Sequence, residues 1–98
     1  MNPTANERHH LRFHPDPNTL CWIDDDLHSQ SYENGLVGLT INESASGCSA
    51  VFLQNDRIAE GKTYRTVVGR LSEVMATIRW IRPLDDSTVR VGIEYQDR

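Results

Sequence analysis

Val74-Met75-Ala76-Thr77-Ile78-Arg79-Trp80-Ile81 and Thr88-Val89-Arg90-Val91-Gly92-Ile93-Glu94-Tyr95, joined across Asp85-Asp86-Ser87, decide the fold class. Both runs alternate with period two. In the first, Val74, Ala76, Ile78 and Trp80 share one face, with Thr77 and Arg79 on the other. Met75 and Ile81 are apolar exceptions on that second face. In the second run Val89, Val91, Ile93 and Tyr95 oppose Arg90, Gly92 and Glu94. Successive side chains of an extended chain point to opposite sides, so this pattern marks half-buried strands. Asp-Asp-Ser between them is turn-forming chemistry.

The rest of the chain reads the same way. Tyr64 to Leu71 is a strand candidate preceded by the turn Glu60-Gly61-Lys62, and Gly47 to Leu53 is another. Leu36 to Ile41 alternates Val37, Leu39 and Ile41 against Gly38, Thr40 and Asn42. Before it, Glu33-Asn34-Gly35 contains the Asn-Gly pair suited to a tight hairpin. Thr19 to Asp24 is the first strand candidate. No strong helical period follows the prolines at 15 and 17, which bias their neighbours to extended geometry. Six short strands with inward β-branched residues predict an all-β domain, a small closed or nearly closed barrel. Closure removes the exposed edges that make open sheets sticky.

At 98 residues the chain has room for one domain. Residues 1–18 read as a flexible polar arm holding Pro3, Pro15, Pro17, His9, His10 and His14, and residues 19–98 as the barrel. A net charge of −4 argues against general affinity for DNA or RNA, which needs a basic face. A local arginine cluster can still hold a small anion. With no apolar run in the first 20 residues and none of bilayer length later, the expectation is a cytoplasmic protein without membrane insertion. Cys21 and Cys48, with 26 residues between them, fit no zinc pattern and are expected reduced and buried. The histidines lack further ligands for a metal site. Asp24-Asp25-Asp26 lacks the alternation of a calcium loop and reads as a solvated turn, and Arg79, Arg82 and Arg90 read as outward strand charges. Ser44 is not in a Gly-x-Ser-x-Gly elbow and has no acid–base partner, which points away from an enzyme.

Two short patterns carry binding chemistry. In Arg8-His9-His10-Leu11-Arg12 the arginines are four apart, a spacing that puts both guanidiniums on one side of a strand or a helix. The planar fork of arginine donates paired bonds to phosphate. In Asn42-Glu43-Ser44-Ala45-Ser46-Gly47, Asn42 and Ser44 offer short polar groups on one side of the chain, and Gly47 allows close approach. Taken singly, the first is a solvated charged arm and the second a β-turn.

Together, in this order, with 29 residues between Arg12 and Asn42, the chain resembles the PilZ family, whose motifs are Arg-x-x-x-Arg and Asp/Asn-x-Ser-x-x-Gly. Ile78-Arg79-Trp80 and Val91-Gly92-Ile93-Glu94-Tyr95 are similar to that family's closing strands, so the resemblance spans residues 8–95. It implies a six-stranded antiparallel barrel in a bacterial receptor for cyclic di-GMP, a second messenger of motility and biofilm regulation. Arg8 and Arg12 would hold phosphate and guanine; Asn42, Ser44 and Gly47 would meet a guanine from the barrel surface. His9 and His10 would add partial positive charge. Trp80 follows the inward parity of Ile78 and reads as core, the alternative being a rim position stacked on guanine. Binding would draw the arm onto the barrel and create a surface for a protein partner. Two departures stand out: the chain stops at Arg98, where many members continue into a helix, and Glu7 occupies a position that is arginine in some members. Glu7 repels a second ligand, so one cyclic di-GMP per chain is expected. The alternative is a pilus- or motility-related interaction module of the same fold that does not bind nucleotide.

Overall fold

A computed structural model describes residues 20–96. Six strands, β1 (Leu20–Asp24), β2 (Leu36–Ser44), β3 (Gly47–Leu53), β4 (Thr63–Val68), β5 (Val74–Pro83) and β6 (Thr88–Tyr95), close into one barrel in the order β1-β2-β3-β6-β5-β4. Every pairing is antiparallel. The chain therefore builds two three-stranded meanders, β1-β2-β3 and β4-β5-β6, joined along the β3–β6 and β1–β4 seams. This is the all-β, six-stranded antiparallel barrel expected. Among the described residues there is no helix, so none long and apolar enough to cross a membrane.

The turns follow local chemistry. Ala45-Ser46 is a two-residue turn between Ser44 and Gly47, which pair directly. Gly61 adopts φ 85°, a left-handed conformation reserved in practice for glycine, in a turn closed by the Lys62 amide on the Ala59 carbonyl. Asp85 Oδ1 accepts from the amides of Ser87 and Thr88, both at 2.8 Å, and fixes the β5–β6 connection. Asn34-Gly35 does not make the tight hairpin expected. It lies in a longer loop between Asp24 and Leu36, where the Gly35 amide closes a turn on the Tyr32 carbonyl. β4 ends at Val68, short of Leu71, because Gly69 turns left-handed at φ 57°.

The core comprises Cys21, Ile23, Ala50, Phe52, Tyr64, Val68, Ala76, Ile78, Val89, Val91 and Ile93, with Cys48 and Tyr95 towards one end. Both cysteines are free and buried. The segment from β3 to β4 carries Ile58 against the core and is tied to Tyr64, whose hydroxyl accepts from the Ala59 amide and donates to the Arg57 carbonyl.

Three further readings of the sequence change. On β2 the inward residues are Leu36, Gly38 and Thr40, while Val37, Leu39 and Ile41 are 49%, 50% and 52% exposed. Position 38 is crowded by β3: a Cβ there would lie 2.6 Å from the Val51 carbonyl oxygen and 2.8 Å from the Phe52 ring, so only glycine lets that ring fill the interior. On β5 a bulge between Ile78 and Trp80 makes Arg79 an extra residue. Ile78 remains buried, Ile81 then packs on the core, and Trp80 turns outward instead of following the parity of Ile78. Asp24 does not belong to a solvated turn: it is 2% exposed and ion-paired to buried Arg65 at 3.0 Å.

Candidate functional site

The register of the ladders lays three parallel rows across the outer face of β2, β3, β6 and β5. Asn42 pairs Ser49, Ser49 pairs Gly92, and Gly92 pairs Trp80. On one side of this central row run Ser44, Gly47, Glu94 and Thr77. On the other run Leu39, Val51, Arg90 and Arg82. Directly paired residues of a sheet point the same way, so each row is one line of surface side chains.

Two glycines in the middle of these rows hollow the surface. A Cβ on Gly47 would lie 2.1 Å from the Ile93 carbonyl oxygen, and one on Gly92 2.2 Å from the Trp80 indole. Gly47 is thus required by the close approach of β6; the left-handed glycines of the chain are Gly61 and Gly69. Gly92 is required because the half-buried indole lies flat over it. The result is an open trough of about 330 Å³ lined by Asn42, Ser44, Gly47, Arg79, Trp80 and Arg90, among others.

Its polar groups are ordered by hydrogen bonds. Ser49 Oγ donates to Asn42 Oδ1 at 3.2 Å and accepts from Arg90 Nη2 at 3.1 Å. Because the Asn42 oxygen is engaged, its amide nitrogen is left to present donors to the trough. Ser44 Oγ lies 3.4 Å from Ser46 Oγ and within 3.4 Å of the Gly47 carbonyl, long contacts that an incoming partner can replace. Arg79 pairs with Glu94 at 3.1 Å on the exposed side. The guanidinium carbon of Arg82 stands 4.9 Å from the Trp80 ring centroid. The arrangement offers amide and hydroxyl hydrogen bonding, an aromatic surface and cationic charge, with no nucleophile–base pair among these groups. It suits recognition of a planar polar ring bearing an anionic group.

Of the residues singled out in the sequence, Asn42, Ser44, Gly47 and Trp80 come together in this trough. Arg8, His9, His10 and Arg12 lie outside the described residues. Sequence reasoning missed Ser49 and the part played by Arg90. The signal for both was register: Ser49 lies opposite Asn42 only because a bulge after Thr40 shifts the β2–β3 pairing. Compared with family models, with curated proteins and with solved structures, the chain matches none. The resemblance to PilZ proteins therefore rests on the residues quoted above.

Proposed function

We propose that the chain is a cytoplasmic receptor that binds one cyclic di-GMP and does no chemistry on it. The observation that carries this reading is the meeting of Asn42, Ser44 and Gly47 with Trp80 and Arg90 in a single outer trough. The amide of Asn42 and hydroxyl of Ser44 suit the edge of a guanine, and Trp80 suits its face. At about 330 Å³ the trough is at the small end of ligand sites, so it takes part of a dinucleotide and leaves the remainder to another segment.

The position of β1 supports Arg8 and Arg12 as that other contribution. Leu20, the first described residue, pairs with Leu39 on β2, three residues before Asn42. The eight steps from Arg12 to Leu20 reach about 26–29 Å when extended, ample for Arg12 to meet the trough. In sequence His9 and His10 lie between the two arginines. Ordering residues 1–18 on the ligand costs entropy that arginine–phosphate and guanine contacts offset, and it builds the surface a protein partner would recognise.

A calorimetric titration of the whole chain with cyclic di-GMP tests the reading. Expected is a one-to-one complex in the micromolar range or tighter, about 8 kcal/mol or more, with GTP, GMP and cyclic AMP competing poorly. Absence of heat at ligand concentrations near a millimolar would overturn it. The second reading, an interaction module of the same fold without nucleotide binding, has one observation in its favour: the exposed apolar residues Val37, Leu39 and Ile41 beside the trough. The same titration separates the two.

A further inference from the structure

Arg82 and Arg90 face each other directly across the β5–β6 ladder. Like charges in that position repel, and a sheet gains by avoiding them. The other described basic side chains with ion pairs are Arg57, Lys62 and Arg65 around Asp24, Asp25 and Glu73, and Arg79 on Glu94. Neither Arg82 nor Arg90 has a carboxylate within 4.0 Å among the described residues. Instead each leans towards the central row of the trough: Arg90 onto Ser49 Oγ at 3.1 Å, and Arg82 onto the Trp80 ring at 4.9 Å. Arg90 Nε is buried and has no hydrogen-bond acceptor among the described residues. A guanidinium fixed by a buried serine, beside a second guanidinium on an aromatic rim, with neither charge neutralised, is built to receive an anion.

We infer that Arg90 and Arg82 form a phosphate-binding subsite on the barrel itself, separate from the arginine pair near the N-terminus. Arg90 is the fixed donor, since the Ser49 hydroxyl donates its hydrogen bond to Asn42 Oδ1 and so keeps a lone pair for Arg90 Nη2. Arg82 closes on the anion from the rim. The subsite takes a phosphate mono- or diester, or free phosphate, and its link to cyclic di-GMP rests on the receptor reading above.

The experiment has two arms, both on the whole chain. In the first, amide chemical shifts of the wild type are followed as sodium phosphate is added, against sodium chloride at equal ionic strength. Saturable shifts centred on Ser49, Arg82, Arg90 and Gly92 are expected; shifts no different from those with chloride overturn the subsite. In the second arm cyclic di-GMP is titrated into wild type, Arg82→Gln and Arg90→Gln. At least tenfold weaker binding by each variant is expected. Arg82→Gln, at an exposed position, tests the subsite even if Arg90→Gln fails to fold. Undiminished binding by Arg82→Gln overturns the subsite and leaves the receptor reading standing. A wild type that ignores cyclic di-GMP yet shows the localised phosphate shifts supports the subsite and overturns the receptor.

Discussion

At the residue scale, position 92 governs the shape of the trough. Any side chain there must displace the Trp80 indole, whose nearest atoms would lie 2.2 Å from a new Cβ. Gly92→Ala is expected to cost about 1–3 kcal/mol in urea unfolding, the usual range for overpacking. In a Trp22→Phe background it should also shift tryptophan emission to the red. An alanine variant with unchanged stability and emission would mean that the indole does not rest on residue 92. Arg12→Ala behaves oppositely under the receptor reading: it weakens cyclic di-GMP by about 2 kcal/mol, the range of charge-assisted bonds, while the unfolding midpoint stays put. Loss of folding, or wild-type affinity, would remove Arg12 from the site.

At the scale of elements, the end of the barrel where β1 meets β4 is held by charge rather than by apolar packing. Arg65, 3% exposed, donates to Asp24 at 3.0 Å and to the carbonyls of Asp26 at 2.8 Å and Ser31 at 2.7 Å. Its guanidinium lies 4.3 Å from the Tyr32 ring centroid. This one side chain therefore organises the loop between β1 and β2. Arg65→Ala leaves Asp24 buried with the longer 3.5 Å contact to Arg57 and the Asp26 amide as its partners among the described residues, and is expected to cost about 3 kcal/mol in equilibrium unfolding, the low end for breaking a buried pair; a loss under about 1 kcal/mol would show that Arg57 or water takes over the pair. Nearby, hydrogen bonds from Arg57 and then Lys62 hold the Asp25 carboxyl down to about 2. An unfolded aspartate titrates near 3.9, so this stabilisation is complete above about pH 4 and is lost as pH falls towards 2. Asp25→Asn should flatten the acid limb of a stability–pH curve in that window and leave its neutral part lower. An unchanged acid limb would dissociate Asp25 from acid unfolding.

The same elements show what was legible in the sequence. β3 and β6 have the bounds that alternation and turn residues predicted, because each runs without interruption and the bulges fall on their partners β2 and β5. The faces of β2 and β5 were harder. Alternation gives a period, yet it does not say which phase faces inward, and on β2 a bulky Phe52 on the next strand assigns the interior to Gly38. The bulge at Arg79 then flips the phase within β5 and carries Trp80 outside. A bulge is a two-against-one mismatch between strands, so a single strand read alone contains no sign of it. The candidate site was legible where it was local, at Asn42, Ser44 and Gly47, and illegible where it depends on cross-strand register, at Ser49, Arg82 and Arg90.

For the whole molecule, the two seams that join the meanders are unequal. Along β3–β6 seven residue pairs are in register, from Gly47–Glu94 to Leu53–Thr88. Along β1–β4 there are four, from Cys21–Val68 to Asp24–Arg65. Both unite distant parts of the chain, which makes such barrels slow to fold, because loop closure precedes the contacts that reward it. The longer seam gathers more of that reward, so the expected order is that it forms first and the shorter one closes the ring. In kinetic terms, Val91→Ala on the long seam should mainly retard refolding. Val68→Ala on the short seam should mainly hasten unfolding, and chevron plots of the two variants would separate them. Equal partitioning between the limbs would mean that the seams close together. With four pairs along one seam against seven along the other, amides of β1 and β4 are expected to exchange hydrogen sooner than those of β3 and β6. Since β1 is the strand to which residues 1–19 are attached, a pull on that segment is expected to load the four-pair seam before the seven-pair one.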